Sequence, residues 1–428
     1  MTPSATPALP AHHTEVLVFF TLLQLSIIVV SARVAGELAV KFRQSRAVGE
    51  IVIGILLGPS LLGILAPDLF GYVFRSAPPE PMTILSQVGL LLLMFQIGLE
   101  FDFAHLAAAA NRRAVLLVSV VGLVLPFLLG LGFGYGSTGL LPSSMNGTAY
   151  SLFIGTAFSI TALPILGRIM IELNIQRTHL GVIAISSAAI NDVAGWLMLA
   201  VVTALTTANF TAGGFVETLI WLAVYVSLCW FVVRPILKRW ITRLQTESAP
   251  LAPNLIGLLL GAIFVSGMVT YKLGIFAIFG GFMLGVLLHD ESRLVAAWRE
   301  KVGSFVEVFF LPIFFTYTGL RTNIGALDSG SLWLWCLLLV GLATTGKFLG
   351  CYVAARMAGL DSAQSRVVAI MMNTRALMEL VVINVGYDLG VIPSTVFTML
   401  VIMALVSTLV TTPLLRRWLP AARLEEAE

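Results

Sequence analysis

The sequence predicts an all-α polytopic membrane protein of about 13 transmembrane helices, built as two inverted repeats. Three observations lead there: little charge, recurrent apolar runs of spanning length, and interruptions of those runs at a fixed offset. The 428 residues are 58% hydrophobic and 11% charged, with a mean hydropathy of +0.97. Soluble domains carry about 25% charged residues, so a soluble enzyme, a disordered chain and a nucleic-acid binder are all excluded. The net charge of +3 is scattered over short loops and makes no basic face. Cys229, Cys336 and Cys351 lie far apart inside apolar runs, which suits neither a disulfide framework nor a metal knuckle.

A helical span needs about 20 mostly apolar residues. Thirteen stretches qualify: 16–33, 47–63, 82–101, 113–132, 148–168, 180–204, 215–235, 254–272, 274–289, 303–320, 332–355, 366–387 and 394–415. Helices are the expected form, because backbone polar groups in a bilayer must be satisfied within the segment. The positive-inside rule tests the count. With the N-terminus outside, only Arg75, Lys272 and Arg321 fall on the outer side, and Lys347 and Arg375 lie within spans. The other twenty Lys and Arg lie inside, which places the C-terminus in the cytoplasm. Residues 1–15 read as a short external tail without the basic start of a signal peptide. Residues 16–418 form the membrane domain and 419–428 a short acidic cytoplasmic tail, with no soluble regulatory domain expected.

Span 5 is broken by Ser159-Ile160-Thr161-Ala162-Leu163-Pro164, where Pro164 removes a helix hydrogen bond and Thr161 can substitute for one. Span 12 is broken by the polar run Met372-Asn373-Thr374-Arg375-Ala376. Two short Gly-rich spans also correspond, 47–63 and 274–289, and spans 3 and 10 end alike in Gly98-Leu99-Glu100-Phe101-Asp102 and Gly319-Leu320-Arg321-Thr322-Asn323. Each pair sits seven spans apart, which suggests repeats over about 16–204 and 254–415 joined by a linker span at 215–235. Matched interruptions in inverted halves point to a transporter with a midplane site.

Asp192 lies in the middle of span 6, in Ile190-Asn191-Asp192-Val193. A carboxylate at that depth is costly and marks an ion or proton pathway. It is stable there when neutralised by a proton or by a bound monovalent cation, and that competition is the chemistry of exchange. Lys347, mid-span in Gly346-Lys347-Phe348, is the second deep charge and a candidate to neutralise Asp192 when no cation is bound. Arg375 and Glu379 stand four apart on span 12, the spacing of an ion pair on one helix face. They read as bracing the broken segment. Glu50, Glu100 and Glu307 lie nearer span ends as interface acids, with a coupling role open for Glu50 and Glu307. His105, His179 and His289 lie near inside loops, as solvated residues or cytoplasmic pH sensors. No histidine cluster has zinc-ligand spacing and no loop cradles phosphate, so no cofactor is expected and ATP is not the energy source.

Several stretches resemble the monovalent cation:proton antiporter-2 family: Ala47 to Gly63, Phe95 to Asp102, Asn191-Asp192, Leu311 to Phe315, and Asn373 to Asn384 with Gly386. The resemblance runs from about residue 15 to 418 and is nearest the Kef-type and plant cation/proton exchanger branches. It implies a sodium/proton antiporter-like fold with crossed discontinuous helices, a second domain that forms a homodimer interface, and alternating access by movement of one against the other. By position it implies that Asp192 carries proton and cation in turn with Asn191 as its partner. Thr161 and its unwound neighbours Ser159 and Thr374 would lend oxygens, and Lys347 would pair with the carboxylate. Electrogenic relatives have two adjacent aspartates where this chain has Asn191-Asp192, so electroneutral exchange of Na+ or K+ for H+ is expected. Ala376 stands where many relatives have Gly. A bacterial cytoplasmic membrane is the expected location. Two other readings remain open: a cation channel with Asp192 as a pore charge, and an organic anion carrier with Lys347 and Arg375 at its site.

Overall fold

The computed structural model describes residues 11–42, 44–100, 112–173, 175, 178–207, 212–244, 252–273, 276–375 and 377–425. Among them the regular secondary structure is entirely helical. Eight helices are long and apolar enough to cross a membrane, or ten if each of two bent pairs is one span. In order, α1 is Ala11–Lys41, α2 Arg46–Leu56, α3 Glu80–Leu99, α4 Arg112–Gly136, α5 Gly147–Ser159, α6 Leu163–Glu172 and α7 His179–Thr207. There follow α8 Ala212–Leu228, α9 Arg234–Leu244, α10 Pro253–Lys272, α11 Ala277–Leu287 and α12 Ser292–Trp298. The last are α13 Leu311–Arg321, α14 Gly330–Met357, α15 Ser362–Met372, α16 Leu377–Asp388 and α17 Ser394–Glu425.

Eight of the thirteen predicted stretches coincide with the long helices, and the stretches at 303–320 and 366–387 are the two bent pairs, each turning by 41°. The remaining three are carried by shorter pieces. α2 and α11 have 11 residues each, about 17 Å of helix at 1.5 Å per residue. The stretch at 148–168 is split between α5 and α6. After α2 the chain makes two single turns, Leu62–Leu65 and Pro67–Phe70, and a wide turn over Gly71–Arg75. Apolar content alone does not anticipate these turns.

Helix packing divides the chain into two groups. In one, α2 lies on α1 and α13, α3 on α11 and α13, and α10 on α11. In the other, α4 lies on α5, α7 and α14, and α17 on α14, α15 and α16. Two glycine seams set the first group. A Cβ on Gly54 would sit 2.7 Å from the Phe315 carbonyl, and Cβ atoms on Gly58 and Gly319 would strike the opposing backbone of α13 and α2. On α11, Gly281 and Gly285 stand against the Leu91 and Phe95 carbonyls of α3, and Gly98 returns the contact against Phe282. Only glycine permits so close an approach.

Polar side chains start the helices of the second group. The Asn146 side chain accepts from the Thr148 and Ala149 amides (2.9 and 3.1 Å) at the head of α5. Asp361 caps α15 through the Ala363 and Gln364 amides (2.6 and 2.9 Å), with Gln364 reaching back to complete the box. The two groups are joined at one end by Arg321 of α13. It donates to Asp388 (2.6 Å) and Asn384 (3.3 Å) of α16, is hydrogen-bonded to the Tyr317 hydroxyl, and lies over the Tyr387 ring. Asn384 in turn donates to Thr318 (2.8 Å).

Candidate ion-binding site

An α-helix leaves its last four carbonyls without partners inside the helix, and hydrocarbon offers no water to replace them. At the end of α5 all four are met by side chains. Ser159 Oγ donates to the Thr156 carbonyl at 2.7 Å. Arg375 donates from Nη1 to Ala157 (2.9 Å) and from Nη2 to Phe158 (2.7 Å), and Nη2 also reaches Ala343 of α14 (3.1 Å). Lys347 Nζ donates to the Ser159 carbonyl at 2.5 Å. The negative end of this half-helix therefore meets two cations, the arrangement its dipole favours.

The end of α15 is satisfied differently. The Asn373 and Thr374 amides donate to Ile370 and Met371 (3.2 Å each). The Thr374 hydroxyl donates to Met371 (2.8 Å), and the Thr161 hydroxyl crosses over to Met372 (3.2 Å). The Ala162 amide donates to the Thr374 carbonyl at 2.8 Å, so the two interruptions are hydrogen-bonded where they cross. Every donor at this second break is neutral.

Asp192 of α7 is 2% exposed. It lies near the backbone amide of Leu163, the first residue of α6, and within the field of Lys347. Neither carboxylate oxygen is engaged at hydrogen-bonding geometry. A half-helix N-terminus that points at a buried carboxylate favours its negative charge. Lys347, fully buried, forms no ion pair of 4.0 Å or less with it. Its charge acts on the carboxylate from beyond that distance. Lys347 is held by the Ser159 carbonyl and, with the Asn191 amide assigned the orientation in which both its ends find complementary partners, by Asn191, whose Oδ1 then accepts from Nζ (3.2 Å) while Nδ2 donates to the Ser119 carbonyl (3.0 Å).

The structure gathers Asp192, Asn191, Thr161, Lys347, Ser159, Thr374 and Arg375 around the crossing. Arg375 and Glu379 form the expected ion pair, 3.2 Å long and fully buried. The side chain of Pro164 and all of Ala376 and His105 lie outside the described residues. Three contributors were not singled out from sequence. The Ser119 carbonyl of α4 orients Asn191. Gly122 leaves room for Cys351, whose sulfur would be 2.6 Å from a Cβ there. Asn373, fully buried, has both amide atoms without a partner. An Asn inside an apolar span is the sequence signal Asn373 carries, whereas Ser119 and Gly122 sit in an apolar run that does not set them apart.

The other acids have partners away from the crossing. Glu50 pairs with Arg33 (3.5 Å), Glu100 with Arg299 (2.9 Å), and Gln96 donates to Glu307 (3.5 Å). His289 donates from Nδ1 to the Val286 carbonyl (2.8 Å). Asp290, just beyond α11, accepts from Arg234 (2.8 Å) and Lys238 (2.5 Å) of α9. Burial pushes the Asp290 carboxyl up, but the Lys238 hydrogen bond and the charges of Lys238 and Arg234 outweigh it and hold it below its ordinary value.

Comparison with known proteins decides the family. Residues 26–419 match the transmembrane region of sodium/hydrogen exchangers. This chain belongs to the sodium/hydrogen exchanger family. Among the members, it is 37% identical over 397 residues to the Na(+)/H(+) antiporter NhaS4 of Synechocystis, covering 92% of this chain and 96% of that one. It is 35% identical over 412 residues to cation/H(+) antiporter 18 of Arabidopsis thaliana, covering 95% of this chain and 50% of the plant protein. It is 28% identical over 382 residues to K(+)/H(+) antiporter 1 of Saccharomyces cerevisiae, covering 87% of this chain and 43% of the yeast protein. The chain thus spans about half the length of the plant and yeast members. The sodium proton antiporter MjNhaP1 of Methanocaldococcus jannaschii shares the exchanger fold. Its structure superposes with a TM-score of 0.64 at 16% identity, covering 96% of this chain and 99% of that one.

Proposed function

We propose that this exchanger is a secondary active antiporter that trades Na+ or K+ for H+ at Asp192, without covalent chemistry and without a cofactor. The observation that carries this reading is a carboxylate buried in a membrane-spanning helix with both oxygens free of hydrogen bonds. Such a group cannot stay bare in apolar surroundings, so a proton or a cation must neutralise it. Asp192 and Thr161 are the cation ligands in this reading, and only one of the two, proton or cation, can occupy the carboxylate at a time. Relatives from a cyanobacterium, a plant and a yeast bear antiporter names, which supports the assignment.

One free carboxylate beside the neutral Asn191 favours one proton per cation and electroneutral exchange. The helix pairs support the two-repeat reading: α2 against α13 and α11 against α3 are the same contact displaced by seven spans, as are α4 with α5 and α14 with α15. The first helix group would then be the static domain and homodimer interface, and the second the moving core. The N-terminus lies outside and the C-terminus in the cytoplasm of a bacterial inner membrane, as the Lys and Arg distribution supports.

The test is reconstitution in liposomes with a lumenal pH dye and an imposed proton gradient. Na+, K+ or Li+ is added in turn, with the voltage clamped by an ionophore whose ion is not the one under test. Cation-dependent collapse of the gradient is expected for the wild type and none for Asp192→Asn. Retained exchange in D192N would remove Asp192 from the mechanism, and passive cation flux without proton counterflow would favour a channel.

A further inference from the structure

We infer that Asn373 is a cation ligand of this exchanger and sets its preference among monovalent cations, an assignment that rests on the antiporter reading above. Asn373 is fully buried, yet neither Oδ1 nor Nδ2 has a partner. Buried amides are nearly always hydrogen-bonded, because leaving them unpaired is costly. A side chain left open in this way suits a group that enters and leaves.

Its position agrees. On one side of Asn373 the Met372 carbonyl takes the Thr161 hydroxyl (3.2 Å), and on the other the Thr374 carbonyl takes the Ala162 amide (2.8 Å). Asp192 lies near the amide of Leu163, the next residue along that strip. Successive Cα atoms are about 3.8 Å apart, so Asp192 and Asn373 flank one short piece of unwound chain.

Hydrogen bonding already occupies most other oxygens at the crossing. The Thr156, Ala157, Phe158 and Ser159 carbonyls are taken by Ser159, Arg375 and Lys347. The Met371, Met372 and Thr374 carbonyls are taken by Thr374, Thr161 and Ala162, and the Asn191 oxygen by Lys347. Glu379 Oε1 is free, but its carboxylate is bound to the Arg375 guanidinium, whose charge repels a cation. Among the described residues at the crossing, Asp192, near the Leu163 amide, and Asn373 are the side chains with no oxygen engaged at hydrogen-bonding geometry.

The two differ in what they accept. A carboxylate takes either a proton or a metal ion, whereas a neutral amide oxygen ligates the metal ion and does not titrate near neutral pH. Asn373 therefore acts in the cation half of the cycle only. Its reach from the backbone fixes the size of the oxygen cage, the quantity that separates Na+ from K+.

The liposome assay above tests this with Asn373→Ala, Asn373→Ser and Asn373→Gln, each checked for folding by gel filtration and thermal unfolding. Expected for N373A are a KM for the preferred cation at least tenfold higher and an altered Na+/K+ ratio, with an unchanged pH dependence at saturating cation. N373S, which keeps an oxygen, recovers some of the affinity. N373Q moves the ratio, because its amide reaches one methylene further. If N373A does not fold, N373S and N373Q carry the same comparison. A wild-type KM and Na+/K+ ratio in the folded variants would overturn the assignment while leaving the antiporter reading intact. Absence of exchange with every cation in the wild type would overturn both.

Discussion

The two interrupted helices cross at their breaks but differ in how their ends are charged. At the first, between α5 and α6, the carbonyl end meets Lys347 and Arg375 and the amide end faces an open Asp192. At the second, between α15 and α16, the carbonyl end meets neutral donors, and the carboxylate in the first turn of α16, Glu379, is bound by Arg375. A broken helix exposes the same partial charges wherever it occurs. What separates the two acids is that Glu379 has already been neutralised by the protein and Asp192 has not.

Arg375 is the test with the largest expected effect, because it serves both breaks. Replacement by Met strips the Ala157, Phe158 and Ala343 carbonyls of their donor and leaves Glu379 buried without a cation. Breaking one partner out of a buried pair typically destabilises by about 3–5 kcal/mol. R375M is therefore expected to unfold far more readily in mild detergent. R375K recovers only a fraction, since one ammonium cannot span the four acceptors of the planar guanidinium. Wild-type thermal stability in R375M would show that the carbonyl ends need no cation.

Glu379→Gln removes charge and keeps shape. A loss of about 2 kcal/mol is expected from an unbalanced guanidinium, with exchange retained. Loss of exchange in a stably folded E379Q would extend the ion chemistry to Glu379 and erase the contrast between the two acids. Thr161→Val, similar in volume, should lower stability by about 1 kcal/mol by freeing the Met372 carbonyl. It should also raise the cation KM, and a change in stability alone would make Thr161 a brace and no ligand.

The smallest effect concerns Asp290, a partly exposed acid that binds α9 to the turn after α11. Asp290→Asn should cost less than about 1 kcal/mol, the usual range for exposed ion pairs. Because the folded carboxyl sits below its ordinary value, its contribution is present above the unfolded pKa of about 3.9 and is lost as pH falls through the folded value. Melting curves of wild type and D290N should therefore converge at acid pH, and a constant gap would deny the ion pair any role.

Much of this was legible in the residues. Long apolar runs gave the long helices, Pro164 and the Met372–Ala376 run marked the breaks, and a mid-span carboxylate marked Asp192. The four-residue spacing of Arg375 and Glu379 disclosed their pairing, although Arg375 lies in the break before α16 and only Glu379 lies on that helix. The capping of α5 was not legible. Its cationic donors come from 188, 217 and 218 residues away, and nothing local to Lys347 says that it will hold a carbonyl and Asn191. The open amide of Asn373 was hidden for the same reason, since being without partners is a property of the whole surroundings.

The glycine seams have a consequence for how variants of this protein sort. Where Gly58, in the turn just after α2, meets Gly319 of α13, backbone touches backbone with no side chain to yield between them. One added methyl group there must push the helices apart, so alanine at either position is expected to abolish exchange as fully as loss of the carboxylate. A survey scored by activity alone would place these glycines beside Asp192, although neither approaches an ion. Scored by folded yield as well, the same survey separates them, and the map of intolerance resolves into one outline of the scaffold and another of the cargo.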